Sequence, residues 1–207
     1  MKRYIGLLAL VGALLSVAQA TIVDFDNLPA GGYQFYFPGG ANQIVLDDVQ
    51  RTTSNAIKQI DIGYISTAAA GPGNVTLYVF ADNNGSVGSL LYTSTITNVP
   101  VGQLLVLSFA TPNIAAGIQN LWIGIAVDRI QAGMLLSPNP NPTIGTSADL
   151  FAWDQNNNGS IDQNEYFFFG GNPVANFAIK TYVPEPASML ALGAGLAGLV
   201  GLRRRKK

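Results

Sequence analysis

Twelve consecutive residues carry the spacing in this sequence that points most directly to metal chemistry: Asp154-Gln155-Asn156-Asn157-Asn158-Gly159-Ser160-Ile161-Asp162-Gln163-Asn164-Glu165. Side-chain oxygens fall at the first, third and fifth places on Asp154, Asn156 and Asn158. A glycine that permits a sharp turn is sixth, the Ser160 carbonyl seventh and Asp162 ninth, and Glu165 closes the run with a carboxylate able to bind through both oxygens. Ca²⁺ is a hard cation that takes roughly six to eight oxygen ligands in a forgiving geometry. This stretch offers such oxygens without imidazole or thiolate. Ile161, in eighth place, is the apolar residue expected to tie such a loop to the fold. A plainer reading stands beside it: an Asn- and Gly-rich hairpin loop between residues 150–153 and 166–169. The flanks do not supply two helices, because residues 148–153 suggest at most one helical turn. Tyr166 to Phe169 then run directly into Gly170-Gly171 and Asn172-Pro173. A bound ion here would stiffen the fold rather than carry a reaction.

Other chemistry is sparse. The chain has no cysteine and no histidine, which removes disulfides, thiol nucleophiles, His-based triads and the usual zinc sites. Two carboxylates remain able to run glycosidic chemistry. Asp24 and Asp26 share one face of an extended segment, whereas Asp47 and Asp48 face opposite ways; the alternative is that all four are solvated edge residues. Aromatic residues raise the question of a sugar-stacking surface. Tyr33, Phe35, Tyr36 and Phe37 lie between two Gly pairs, where they form either an exposed loop or an irregular strand with its rings in the core. Phe151, Trp153, Tyr166, Phe167, Phe168 and Phe169 are more rings than one hairpin face can bury, so one or two are expected at the surface.

The elements that would hold these residues read as strands. Val75, Leu77 and Val79 alternate with Thr76, Tyr78 and Phe80. The same period of two recurs in Leu105, Leu107 and Phe109, in Leu121, Ile123, Ile125 and Val127, in Ile60, Ile62 and Tyr64, and in Phe177, Ile179 and Thr181. Turn residues separate the runs at Gly71-Pro72-Gly73, Asn83-Asn84-Gly85-Ser86, Asn98 to Gly102 and Ser137 to Pro142. Eight to ten strands and no amphipathic helix between residues 21 and 182 predict an all-β fold, a two-sheet antiparallel β-sandwich or jelly roll, with a barrel as the alternative.

The ends have a different character. Lys2 and Arg3 precede an apolar run that closes on Ala18-Gln19-Ala20, the order of a cleaved secretory signal peptide over residues 1–20. Residues 187–202 hold no charge and are followed by Arg203, Arg204, Arg205, Lys206 and Lys207. Sixteen residues fall short of the roughly 20 that a full hydrocarbon core asks for. The cations that follow would stay cytoplasmic by the positive-inside bias, so the segment reads as a single, short transmembrane helix. The exported domain is then residues 21–182. It carries four cations against eleven acidic residues, a formal net charge of −7 that the whole-chain value of −1 conceals. A body so charged has no footprint for nucleic acid or anionic lipid.

Val183-Pro184-Glu185-Pro186-Ala187-Ser188, the apolar stretch after it and the basic stop together resemble the PEP-CTERM sorting signal of Gram-negative bacteria. The resemblance covers residues 183–207. It implies that Pro184, Glu185 and Pro186 are recognition elements for a membrane-embedded exosortase that cuts near them, after signal peptidase has removed the leader. The protein is then an inner-membrane-anchored precursor for a time, and later belongs to the cell surface, outer membrane or extracellular matrix. Pro184 and Pro186 bias the residues before them toward extended backbone, so the recognition segment is expected to be an exposed, strand-like peptide. Thr21 to Pro29, Gly88 to Tyr92 and Ala175 to Tyr182 resemble, more loosely, segments of the sandwich domains that accompany this signal. The function expected is non-enzymatic, binding exopolysaccharide or aiding adhesion; the alternatives are a carbohydrate-active hydrolase using a carboxylate pair and a purely structural matrix protein.

Overall fold

Apolar residues at every second position leave each strand with one face to hide, and two sheets laid face to face hide it. The computed structural model describes residues 21–28, 36–37, 39–67, 72–137, 141–170 and 176–185. The strands are β1 (Thr21–Asp26), β2 (Tyr36–Phe37), β3 (Val45–Gln50), β4 (Ile57–Ser66), β5 (Gly73–Asp82), β6 (Val87–Val99) and β7 (Leu104–Ile114). They continue with β8 (Asn120–Val127), β9 (Ala132–Ser137), β10 (Phe151–Trp153), β11 (Tyr166–Phe167), β12 (Asn176–Phe177) and β13 (Ile179–Pro184). One sheet runs β1-β13-β4-β9-β12, with β2 added on β9 and β7 on β4; the other runs β11-β10-β3-β8-β5-β6. Residues Val23–Val183 form one compact unit.

The fold is therefore an all-β, two-sheet antiparallel sandwich. Its inner faces meet in a core where Ile60, Ile62 and Tyr64 of β4 and Val75, Leu77 and Val79 of β5 are all fully buried, as their alternation requires. A smaller apolar cluster lies on the other face of the second sheet, built on Ile44, Leu46, Trp122, Ala126 and Ala152. It explains why β8 is buried on both sides after Asn120 rather than alternating.

Two glycines permit close approaches that no other residue would. A Cβ on Gly124 of β8 would lie 1.8 Å from the Val45 carbonyl oxygen on β3. A Cβ on Gly63 of β4 would lie 2.8 Å from the Ala178 Cβ and 3.2 Å from the Leu135 Cβ. At Gly63 the sheet divides. Ala178 donates its N–H to the Leu135 carbonyl of β9 and accepts the Gly63 N–H of β4. The chain thereby enters between β4 and β9, pairing first with one and then with the other. The β5–β6 turn closes through Asn84 and Gly85, both at positive φ, with Asn83 and Ser86 exchanging backbone hydrogen bonds. That is the Asn-Gly pairing such two-residue hairpins favour.

Thirteen strands exceed the eight to ten read from periodicity. The surplus lies in β2, β11 and β12, two residues each, which are too short for alternation to register. The helical turn suggested over residues 148–153 is corrected: Phe151–Trp153 is strand β10, paired to β3 on one side and β11 on the other, and no helix occurs among the described residues. The signal peptide and the transmembrane segment lie outside the described residues, as do Tyr33 and Phe35; of Tyr36 and Phe37 only the strand pairing with β9 is described.

Candidate functional site

The loop of residues 154–165 is carried by the hairpin β10–β11, in which Phe151 pairs with Phe167 and Ala152 with Tyr166. Its base is fixed by three backbone bonds. Trp153 donates to the Glu165 carbonyl at 3.0 Å, Asp154 to the Ile44 carbonyl at 2.9 Å, and Glu165 to the Asp162 carbonyl at 3.0 Å. Paired strands thus hold the loop where the sequence left no room for helices. Ile161 is half-buried against the cluster of Leu46 and Trp122, anchoring the loop from its middle as its eighth place predicted.

Within the loop, the first and last carboxylates are buried although nearly everything between them is exposed. Asp154 accepts the Asn158 N–H through Oδ1 and the Gly159 N–H through Oδ2, both at 2.9 Å. Glu165 accepts the Asn156 N–H through Oε1 at 3.1 Å and the Asp162 N–H through Oε2 at 2.9 Å. The Asn156 Oδ1 accepts the Asn158 N–H, and the Asn158 Oδ1 accepts the Ser160 N–H. Both asparagines turn their Nδ2 toward Asp162 Oδ2, at 2.9 and 3.1 Å. Asn157 and Gly159 take positive φ, 58° and 80°, which tightens the turn and leaves open space around Gly159.

Asp154, Asn156, Asn158, Asp162 and Glu165 are therefore joined in one hydrogen-bonded knot, with Ser160 tied in through its N–H. The donor set is oxygen-rich, three carboxylates and two amide oxygens plus the Ser160 carbonyl, which suits a hard divalent cation. No three His, Cys, Asp or Glu side chains are grouped closely enough to hold a metal among the described residues. Any ion here would need the amide and carbonyl oxygens as well as the carboxylates.

The aromatic residues flanking the loop divide as expected. Phe151 is buried, and Phe167, Phe169 and Phe177 gather round it at ring-centre distances of 5.6, 4.8 and 5.9 Å. Trp153 is half-buried, sits 5.7 Å from Phe167 and donates Nε1 to Gln43. Phe168 points outward, 73% exposed.

The carboxylate pairs are not solvated edge residues, and the sequence reading is corrected there. Asp24 is buried in an ion pair with Arg51, and Asp26 pairs with Lys180 at 2.8 Å. Asp47 points into the sandwich, fully buried, and accepts the Phe177 N–H at 3.2 Å. Burial pushes its carboxyl well above the ordinary range, and the neighbouring Asp48 adds to the effect. Asp48 faces the opposite way as predicted, accepting the Ala148 N–H and the Ser147 hydroxyl; burial raises its carboxyl too.

A residue that spacing alone did not single out, Asp82, shares a cavity of about 270 Å³ with Asp48, beside Trp122. Strand register was the available signal: Asp48 opposes Trp122, which opposes Phe80, two places before Asp82. Asp82 is engaged by Trp122 Nε1 at 3.0 Å and by the Gly85 N–H at 3.1 Å. Both carboxylates are thus drawn into structural bonds that hold a turn and a loop.

Pro184 ends β13, and Glu185 follows it half-buried. The backbone there is extended, as the prolines predict, but Val183 is buried, so the segment's first residue is part of the sandwich rather than an exposed peptide. Pro186 lies outside the described residues. Neither a curated protein nor a solved structure matches the chain. Residues 183–206, however, match the PEP-CTERM protein-sorting motif: the chain carries the signal of an exosortase substrate, the mark of an exported, surface-associated protein handled by signal peptidase and an exosortase-type enzyme.

Proposed function

We propose that this is a non-enzymatic surface or matrix protein whose sandwich is stiffened by Ca²⁺ in the loop of residues 154–165 and associates with extracellular polysaccharide. The observation that carries the calcium reading is the burial of Asp154 and Glu165 at opposite ends of an exposed, Asn-rich loop, each held by two backbone N–H groups. Placing carboxylates there costs desolvation, and a cation enclosed between them offsets it. Asp154, Asn156, Asn158, Asp162 and Glu165 would supply side-chain oxygens, and Ser160 its carbonyl. The body's net charge of −7 over residues 21–182 supports the second half, because calcium held at an acidic surface gives anionic polymers something to bind that the protein itself lacks. Pro184, Glu185 and Pro186 act as the recognition segment, with residues 187–202 a temporary membrane stop.

Calorimetric titration with CaCl₂ tests the loop. Binding with a dissociation constant of about 10⁻⁴ to 10⁻³ M, as in other extracellular modules, is expected and should be lost in Glu165→Gln. Absence of heat in the millimolar range, or an unchanged Glu165→Gln isotherm, overturns it. A glycan array run with and without calcium tests the polymer half; indifference to every extracellular polymer in both conditions counts against it.

A further inference from the structure

We propose that β7 is a self-association edge, through which two copies of this chain pair antiparallel and join their sheets. Among the described residues β7 has one strand neighbour, β4. From Leu104 to Ala110 it keeps unbroken register with Ile65 to Gln59, the single shift lying beyond, between Ile57 and Gln59. The stretch Leu104-Leu105-Val106-Leu107-Ser108-Phe109-Ala110 holds no charge, no proline and no glycine. That is the composition of a segment prone to add another strand. Its exposed side chains include Leu104 and Val106, which are 53% and 50% open to solvent.

Sandwich proteins ordinarily protect such an edge with lysines, bulges or proline. The edge strand of the other sheet, β6, has that protection in part, since its pairing with β5 shifts register three times. The regular part of β7 has no lysine, bulge or proline, and the side-chain bond to its backbone from β6 falls at its far end, where the Ala110 carbonyl accepts the Tyr92 hydroxyl at 3.3 Å. Charge selects a second copy as the occupant. No Asp, Glu, Lys or Arg occurs between residues 83 and 127, a span that contains all of β6 and β7, while residues 21–182 as a whole carry −7. Two copies repel across most of their surfaces but not across this edge. A strand lying against its own symmetry mate needs no complementary partner sequence, and the two-fold closes the assembly at a dimer.

The absence of native cysteine makes the test direct. Single cysteines are placed at the outward positions of the strand, Leu104→Cys, Val106→Cys, Ser108→Cys and Ala110→Cys, in the full chain extracted in mild detergent. Gln163→Cys in the exposed loop serves as the collision control. After mild oxidation, the disulfide-linked dimer should rise well above the control at one place along the strand: in one single-cysteine variant when an outward residue lies on the two-fold, or in the mixture of two neighbouring variants when an inward residue does, because each residue of an antiparallel two-fold pair opposes one fixed partner position. Adding Val106→Lys to the best of the other variants should reduce the dimer about tenfold, since it brings like charges across the join. All four positions are exposed, so the fold does not depend on any one of them. Cross-linking no higher than the Gln163→Cys control in every single variant and neighbouring mixture, equal across all of them, or unaffected by Val106→Lys, overturns the proposal.

Discussion

Arg51 Nη1 lies 3.0 Å from Asp24 Oδ2, and both side chains are wholly withdrawn from solvent. The pair joins β1, the first strand of the sandwich, to the segment after β3. Its remaining bonds fasten other parts of the chain: Arg51 donates to the Asn55, Ala115 and Ile118 carbonyls, and Asp24 accepts the Thr53 and Thr181 hydroxyls. Burial raises the Asp24 carboxyl, an effect the Thr181 hydroxyl and the Arg51 charge oppose.

Removing one member of this pair strands the other in the interior. Arg51→Ala is expected to cost about 3–5 kcal/mol, the usual loss when half of a buried pair is deleted. Replacing both with apolar residues should cost less than the single change. Denaturant midpoints of the two variants check the order; a double variant weaker than Arg51→Ala would show that the bonds to the carbonyls and hydroxyls, not the pairing, dominate.

The Asp47 carboxyl gives the fold a pH dependence of definite sign. Its native value is raised by burial above the ordinary 3.8, so the folded protein holds a proton that the unfolded chain releases. The stability from this group is full below the unfolded value and is lost as pH rises from there through the native one. Asp47→Asn keeps an acceptor for the Phe177 N–H while removing the ionisation. Melting temperatures from pH 4 upward should fall less in Asp47→Asn than in the parent; parallel curves would refute the assignment.

Gly124→Ala and Gly85→Ala separate two reasons for glycine. At Gly124 a methyl would meet the Val45 backbone at 1.8 Å, and backbone cannot step aside, so a loss of about 3 kcal/mol or more is expected, at or beyond the upper end of ordinary overpacking. At Gly85 nothing lies within 4 Å, but φ is +83°, and the loss should be about 1–2 kcal/mol, the cost of a left-handed backbone alone. Equal losses in equilibrium unfolding would contradict the distinction.

Replacing Pro184, Glu185 and Pro186 with alanine should leave the hydrophobic tail attached and the protein in the membrane fraction. Intact mass and fractionation check this. Processing identical to the parent would remove these three residues from the recognition step.

Much of this protein is legible along the chain. Residues such as Val75, Leu77 and Val79 declare a strand because a period of two is local and needs no partner to be seen. The oxygen spacing of residues 154–165 and the order Pro184-Glu185-Pro186, apolar stretch, basic stop are equally local patterns. Folding decided the rest through contacts between residues far apart in sequence. Asp24 and Arg51 are 27 positions apart and Asp47 and Phe177 130 apart, so nothing in their surroundings along the chain marks those carboxylates as buried. The same holds for the loop at residues 154–165. Its ligand-type spacing is written in the sequence, but only the pairing of β10 with β11 and β3, and the seat of Ile161 beside Leu46 and Trp122, decided that Asp154 and Glu165 are buried while the residues between them meet water. Spacing states which oxygens can reach one point, whereas burial depends on what the rest of the chain lays over them.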